Sequence, residues 1–228
     1  MRSVLQAVDE FLHGRGRFAV GAPVAAQVKW LLMFVLIFGA LYGAVMASYS
    51  GLAAGRLHHL LYVAIKVPML LLATFALCLP SFFVVNTVAG LRADLGDALK
   101  ALVATQACLT IALASLGPVT AFFYICSMDY SMAVLFNGAM FALACFAAQM
   151  VMRRYYEPLM HRSGRHRAML YFWFFFYAFV GIEMGWVLRP FIGDPGRPVA
   201  FFRADAWGNA YVVVARLIGR FLENLFAW

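Results

Sequence analysis

Apolar residues fall along this chain in five long blocks, separated by short intervals that hold most of the charge. A hydrocarbon core about 30 Å thick needs roughly 20 consecutive apolar residues in a helix. The blocks run from Trp30 to Tyr49, Leu61 to Ala89, Leu99 to Phe123, Met132 to Met152 and Ala168 to Leu188. They predict an all-α integral membrane protein, a bundle of five transmembrane helices with amphipathic interfacial helices at both ends. Residues 1–29 then form a cytoplasmic N-terminal segment, 30–189 the transmembrane domain, and 190–228 an extracytoplasmic turn and C-terminal helix.

The ends carry a different pattern. Val4, Leu5, Val8, Phe11 and Leu12 recur every three or four residues, with Asp9 and Glu10 opposite and Ser3 placed to cap. That spacing predicts a short amphipathic helix on the membrane surface or against the bundle. Gly14, Gly16, Gly21 and Pro23 end it in a hinge. In the tail, Trp207, Tyr211, Val214, Ile218, Phe221 and Leu225 repeat at helical spacing, with Arg216 and Arg220 on the other side. Two arginines are costly in mid-membrane, so this helix is expected at the interface and not as a sixth span.

Within the blocks, Pro68 and Pro80 should kink or break the second span, and Gly117-Pro118 should break the third near its end. Small residues mark the third span (Ala101, Ala104, Ala107, Ala112, Ala114, Ser115) and the fourth (Gly138, Ala142, Ala144, Ala147). Such faces let helices approach closely in lipid. The polar intervals include Leu91–Lys100 and the arginine-rich Arg153–Arg167, both expected as loops.

Composition agrees with this pattern. Charged residues are 12% of the chain, about half the usual share of a soluble domain and too few to coat one. The net charge of +8 belongs to the span ends, where basic residues set orientation and meet anionic headgroups; no nucleic-acid-binding pattern accompanies it. Eleven basic residues fall on the side of the N-terminus and, apart from the five arginines after Leu188, only Arg56 falls opposite. The N-terminus is therefore expected in the cytoplasm and the C-terminus outside, with a bacterial inner membrane as the expected location. The four cysteines (Cys78, Cys108, Cys126, Cys145) lack metal or disulfide spacing and read as small apolar side chains.

Two ionisable residues fall inside spans, Lys66 and Glu183. In the derived topology both lie roughly 8–9 Å below the same membrane surface, a level at which they could pair. Arg189 at the mouth is an alternative partner for Glu183. His58, His59, Asp129 and Asp194 share that outer layer. One reading is a polar vestibule that binds or relays an ion or proton; the other is a salt bridge that locks the second and fifth spans, with wet loop ends around it. Asn86, Gln106, Thr110, Asn137 and Gln149 are read as interhelical hydrogen-bonding groups. No cofactor or metal is expected: all five histidines lie in loops or at span ends, where they cannot face each other across a haem. Neither GxSxG nor HExxH occurs, so no hydrolase is indicated.

The five closely spaced spans, with Lys66-Val67-Pro68 through Pro80-Ser81-Phe82 and the Gly117-Pro118 step, resemble the bacterial members of the Yip1-like membrane family over about residues 60–190. The resemblance implies a non-enzymatic membrane protein that acts through partners, and no catalytic residues. The expected role is a membrane subunit or scaffold, in contact with the bilayer and with other membrane helices in a homo-oligomer or larger complex. The competing reading is a small oligomeric ion or proton channel or transporter built on the Lys66/Glu183 layer. The segment Trp186–Gly193 stands out without an assignable role.

Overall fold

Each apolar block is helical, and several helices run well into the intervals that hydropathy assigns to loops. The computed structural model describes residues 2–18, 24–50, 57–127, 129–193 and 200–202. The helices in chain order are α1 (Arg2–His13), α2 (Val24–Ser48), α3 (Leu57–Val88), α4 (Leu95–Cys126), α5 (Tyr130–Arg162) and α6 (Arg165–Val187). Short 3-10 turns follow α1 and precede α4. No strand occurs among the described residues, and α2 to α6 are each long and apolar enough to cross a membrane. The hinge residues Gly21 and Pro23, the Gly51–Arg56 interval, Asp194 and the tail helix lie outside the described residues.

Three expectations change. Pro68 and Pro80 sit inside an uninterrupted α3, and Pro118 inside an uninterrupted α4. Neither helix is therefore broken at its prolines, each of which removes one backbone donor. The basic interval 153–167 is almost wholly helical: α5 continues to Arg162, and only Ser163 and Gly164 separate it from α6. Burial of Tyr155, Tyr156 and Leu159 carries α5 onward, while Arg153 and Arg154 remain exposed on its other side. Lys100, expected in a loop, is buried in α4 with its ammonium 5.6 Å from the centroid of the Tyr155 ring.

The bundle is organised around α4, which packs most extensively on α5 and α2. Every residue from Lys100 to Thr110 is buried. α2 also packs along α3, and α6 lies chiefly against α3, touching α5 more lightly. α1 returns to the same end of the bundle as the α5–α6 turn. It buries Ala7 and Phe11, and the Phe11 ring meets Phe18 and Phe34. Arg154 donates to the Leu12 carbonyl, and the Tyr155 hydroxyl to that of Phe18.

Two devices fix this arrangement. At the basic end, Asp94 before α4 accepts from Arg162 at 2.6 Å and faces the buried His166 ring at 3.0 Å, while Arg165 donates to the Ala89 carbonyl. One carboxylate thus joins the α3–α4 turn to the α5–α6 turn. Between α2 and α3, the contact runs through Gly39 and Gly43, four residues apart on one face of α2. A Cβ at Gly39 would stand 3.4 Å from Pro68, and one at Gly43 would collide with the Val63 carbonyl and come within 2.9 Å of the Ala64 Cα. Small residues at this spacing let two backbones touch in lipid.

Gly43→Ala is therefore expected to destabilise the bundle by about 1–3 kcal/mol, the usual range for overpacking. Gly138→Ala, where an added Cβ meets nothing within 4 Å, should leave stability unchanged or raise it. Unfolding midpoints in detergent titration check both; equal midpoints for the two variants would rule out a close α2–α3 contact.

Candidate functional site

The end of α6 folds back over the bundle, and this return gives Trp186–Gly193 a structural role. The chain leaves α6 at Leu188, passes through a cis Arg189–Pro190 peptide and lays Ile192 and Gly193 into buried positions. The Arg189 guanidinium stacks 3.3 Å from the centroid of the Trp186 ring. A Cβ on Gly193 would stand 2.6 Å from the Ser50 Cβ and 2.8 Å from the His59 Nε2, so only glycine fits between the end of α2 and the start of α3. The Tyr130 hydroxyl reaches the Ile192 carbonyl at 3.4 Å from the start of α5. Four helices therefore meet at one short cap.

Lys66 is anchored to that cap. Its side chain is fully buried, and Nζ donates to the Pro190 carbonyl at 3.0 Å while standing 4.7 Å from the centroid of the Phe201 ring. Glu183 takes no part. The ion pairs and hydrogen bonds among the described residues include none from its carboxylate, so the expected Lys66–Glu183 bridge is not formed. The reason is angular. α6 meets α3 through Trp173, whose ring contacts Phe75 and Phe82, and through Tyr177, which reaches the Leu71 carbonyl. At about 100° per residue, Glu183 lies on the flank of that face, in line with Phe176 and Phe179.

The other outer-layer residues separate. His59 is buried beside Gly193, whereas His58 is exposed and meets the Tyr62 ring edge-on. Asp129 caps α5, its carboxylate accepting from the Ser131 and Met132 backbone N–H groups, as expected of an N-cap residue. No group of three or more potential metal ligands occurs among the described residues.

A cavity of about 460 Å³ lies deeper, between α3, α4, α5 and α6. Its walls are mainly apolar and aromatic, and no charged side chain lines it. The Tyr177 hydroxyl crosses its edge, donating to Gln106 Oε1 at 2.7 Å, with the Leu71 carbonyl oxygen at 3.4 Å from the same hydroxyl. Thr74, 1% exposed, has a hydroxyl with no partner among the described residues. The Gln106 amide nitrogen likewise donates none of their hydrogen bonds. Gly138 and Ala142, expected to provide close packing, line this space, while Ala144 is fully buried away from it.

The uncharged polar residues divide by use. Asn137 joins three helices: it accepts from Tyr42, donates to Tyr124 and also donates to the Ala133 carbonyl. Gln106 joins α4 to α6. Thr110 bonds mainly within its own helix, and neither amide atom of the buried Asn86 has a partner among the described residues. Nothing in the order of residues marked the cavity. The Gly39/Gly43 spacing was a readable signal for the α2–α3 contact.

No family model, curated protein or solved structure matches this chain.

Replacing Lys66 by Met removes a charged donor from the Pro190 carbonyl, which should cost about 2 kcal/mol, in the range for a hydrogen bond to a charged group. Adding Glu183→Gln should recover none of this loss, because Glu183 is not the partner. Thermal midpoints of the single and double variants decide it, and substantial recovery in the double variant would restore the salt-bridge reading.

Proposed function

We propose that this chain is a non-enzymatic multi-pass membrane protein that serves as a subunit or scaffold, with α6 as its docking helix. Glu183 carries the reading. It is a half-buried carboxylate about one turn inside a candidate span, and it makes no hydrogen bond or ion pair with the described residues of its own chain. A lone carboxylate facing hydrocarbon is costly, and a donor on a neighbouring helix removes that cost. The adjoining surface suits such a neighbour: Phe175 and Ile182 are exposed at i and i+7. Of all α6, only His166, Met169 and Trp173 are buried within this bundle.

Lys66 supports the same reading. A buried ammonium held by a backbone carbonyl and lying over an aromatic ring closes the cap at the end of α6. The channel reading needs a water path past Glu183 between copies of the chain. The Yip1-like layout points toward a partner-dependent role as well. Arg15, Arg154, Arg162 and Arg165 fall at the end of the bundle where α1 packs, which supports a cytoplasmic N-terminus in a bacterial inner membrane.

Photo-crosslinking residues placed at Phe175 and Ile182 should each yield one discrete adduct in native membranes. The same probe at Phe122 and Ile125, exposed on α4, should not. Glu183→Leu should reduce the α6 adducts several-fold while leaving the monomer folded. Equal diffuse labelling from both helices would reject α6 as the docking helix. Purified protein in liposomes should pass no ions or protons; a flux that falls in Glu183→Gln would replace the scaffold reading with the channel.

A further inference from the structure

We propose that the cavity between α3, α4, α5 and α6 binds an uncharged, lipid-like molecule that carries a carbonyl oxygen. Two sources share this chemistry: the ring of an isoprenoid quinone and the ester of an acylglycerol. The proposal is separate from docking through α6 and does not depend on it.

Size, charge and polarity each narrow the ligand. A space of about 460 Å³ lies within the range of small-molecule sites, and protein interiors seldom leave such a volume unfilled. With no charged side chain in the lining, a charged ligand would enter the membrane interior without compensation, so the ligand is neutral. Its body meets the rings of Trp173, Tyr177 and Phe141.

The polar groups specify what the ligand presents. Gln106 has already committed its carbonyl oxygen to Tyr177, so what remains at this side chain is its N–H pair. Thr74 has a buried hydroxyl without a partner, although threonine in a helix commonly returns its proton to its own backbone, as Thr105 does here to the Ala101 carbonyl. Tyr177 stands between the two, reaching Gln106 on α4 and the Leu71 carbonyl one turn from Thr74 on α3. The lining therefore carries two uncommitted donors, the Gln106 N–H pair on α4 and the Thr74 hydroxyl on α3, with the Gln149 amide as a further polar group on α5. A carbonyl oxygen, with two lone pairs, complements these donors. Access comes from the bilayer, because Ala142, Phe174 and Ala178 are both cavity-lining and exposed, and they border the light α5–α6 contact.

The test uses the full chain in phosphatidylcholine nanodiscs, with decylubiquinone as the first probe and dioctanoylglycerol as the second. Trp173 lines the cavity, so bound quinone should quench tryptophan emission with a saturable component above the linear background. Dioctanoylglycerol is scored by a rise in thermal midpoint, as expected for a ligand of the folded state. Gly138→Leu places a side chain where an added Cβ meets nothing within 4 Å, so it should fold normally and abolish saturable binding. Ala142→Phe, at an exposed lining position, serves the same purpose if Gly138→Leu is unstable. Thr74→Val should weaken binding by about 3–10-fold, the worth of one hydrogen bond, without lowering the unliganded midpoint. A response to the quinone alone assigns the ring, and a response to dioctanoylglycerol alone assigns the ester; both support the site. Absence of saturable binding for either probe overturns it, as does binding undiminished in folded Gly138→Leu and Ala142→Phe.

Discussion

The close burial of α4 is the constraint from which the rest of the bundle follows. From Lys100 to Thr110 no side of that helix is left to lipid or water. A helix enclosed in this way needs side chains small enough for several neighbours to approach at once, and Ala101, Ala104 and Ala107 supply them. In a bilayer the hydrophobic effect does little to bring helices together, so close contact and interhelical hydrogen bonds carry the association. Both radiate from α4: small residues toward α2 and α5, the Gln106 amide toward Tyr177 on α6. Enclosure also explains Lys100. Its ammonium, near one end of the enclosed stretch, is accommodated over the Tyr155 ring.

The two ends of the bundle are closed by different chemistry. At the basic end, side-chain charges do the joining, through Asp94 with Arg162 and His166. The Asp94–Arg162 pair is partly exposed, where such pairs are individually weak, while the His166 ring beside it is buried. At the other end, closure depends on backbone: a carbonyl at Pro190 for the buried ammonium, and a glycine at position 193 that lets the chain pass between Ser50 and His59. A buried cation satisfied by a main-chain carbonyl is fixed in place and cannot easily exchange partners. That makes Lys66 a latch for the cap, while the Glu183 carboxylate makes no hydrogen bond or ion pair with the described residues.

Hydropathy reports which solvent a residue prefers, and it located all five long helices within a few residues at most boundaries. It says little about which neighbour a residue meets. The arginine-rich interval read as a loop because charge marks exposure, yet Tyr155, Tyr156 and Leu159 interleave with those arginines and keep the segment helical on its buried side. Lys66 and Glu183 read as lying at the same depth, which invites pairing. Depth is a one-dimensional quantity, however, and pairing also needs the right angle around α6. The α2–α3 contact was legible in principle, from Gly39 and Gly43 four residues apart, and went unread beside the more conspicuous alanines. The cavity was not legible at all. It is a property of distances between helices, and four different helices contribute to it.

The same residue type produced opposite outcomes on α5, and this shows what creates the cavity. Ala133 and Ala144, eleven residues apart on one face, are fully buried in packed surroundings, whereas Gly138 and Ala142, on an adjoining face, line open space. Small residues permit close approach only if the facing helix is able to come near. On this side the facing wall is α6, held off by large rings: Trp173 wedged against Phe75 and Phe82, and Tyr177 spanning from Leu71 to Gln106. The aromatic bulk that seats α6 firmly on α3 therefore prevents it from collapsing onto α5. A gap maintained by rigid rings on one side and by missing side chains on the other persists without strain in either helix, and tight packing around α4 keeps its far wall in place.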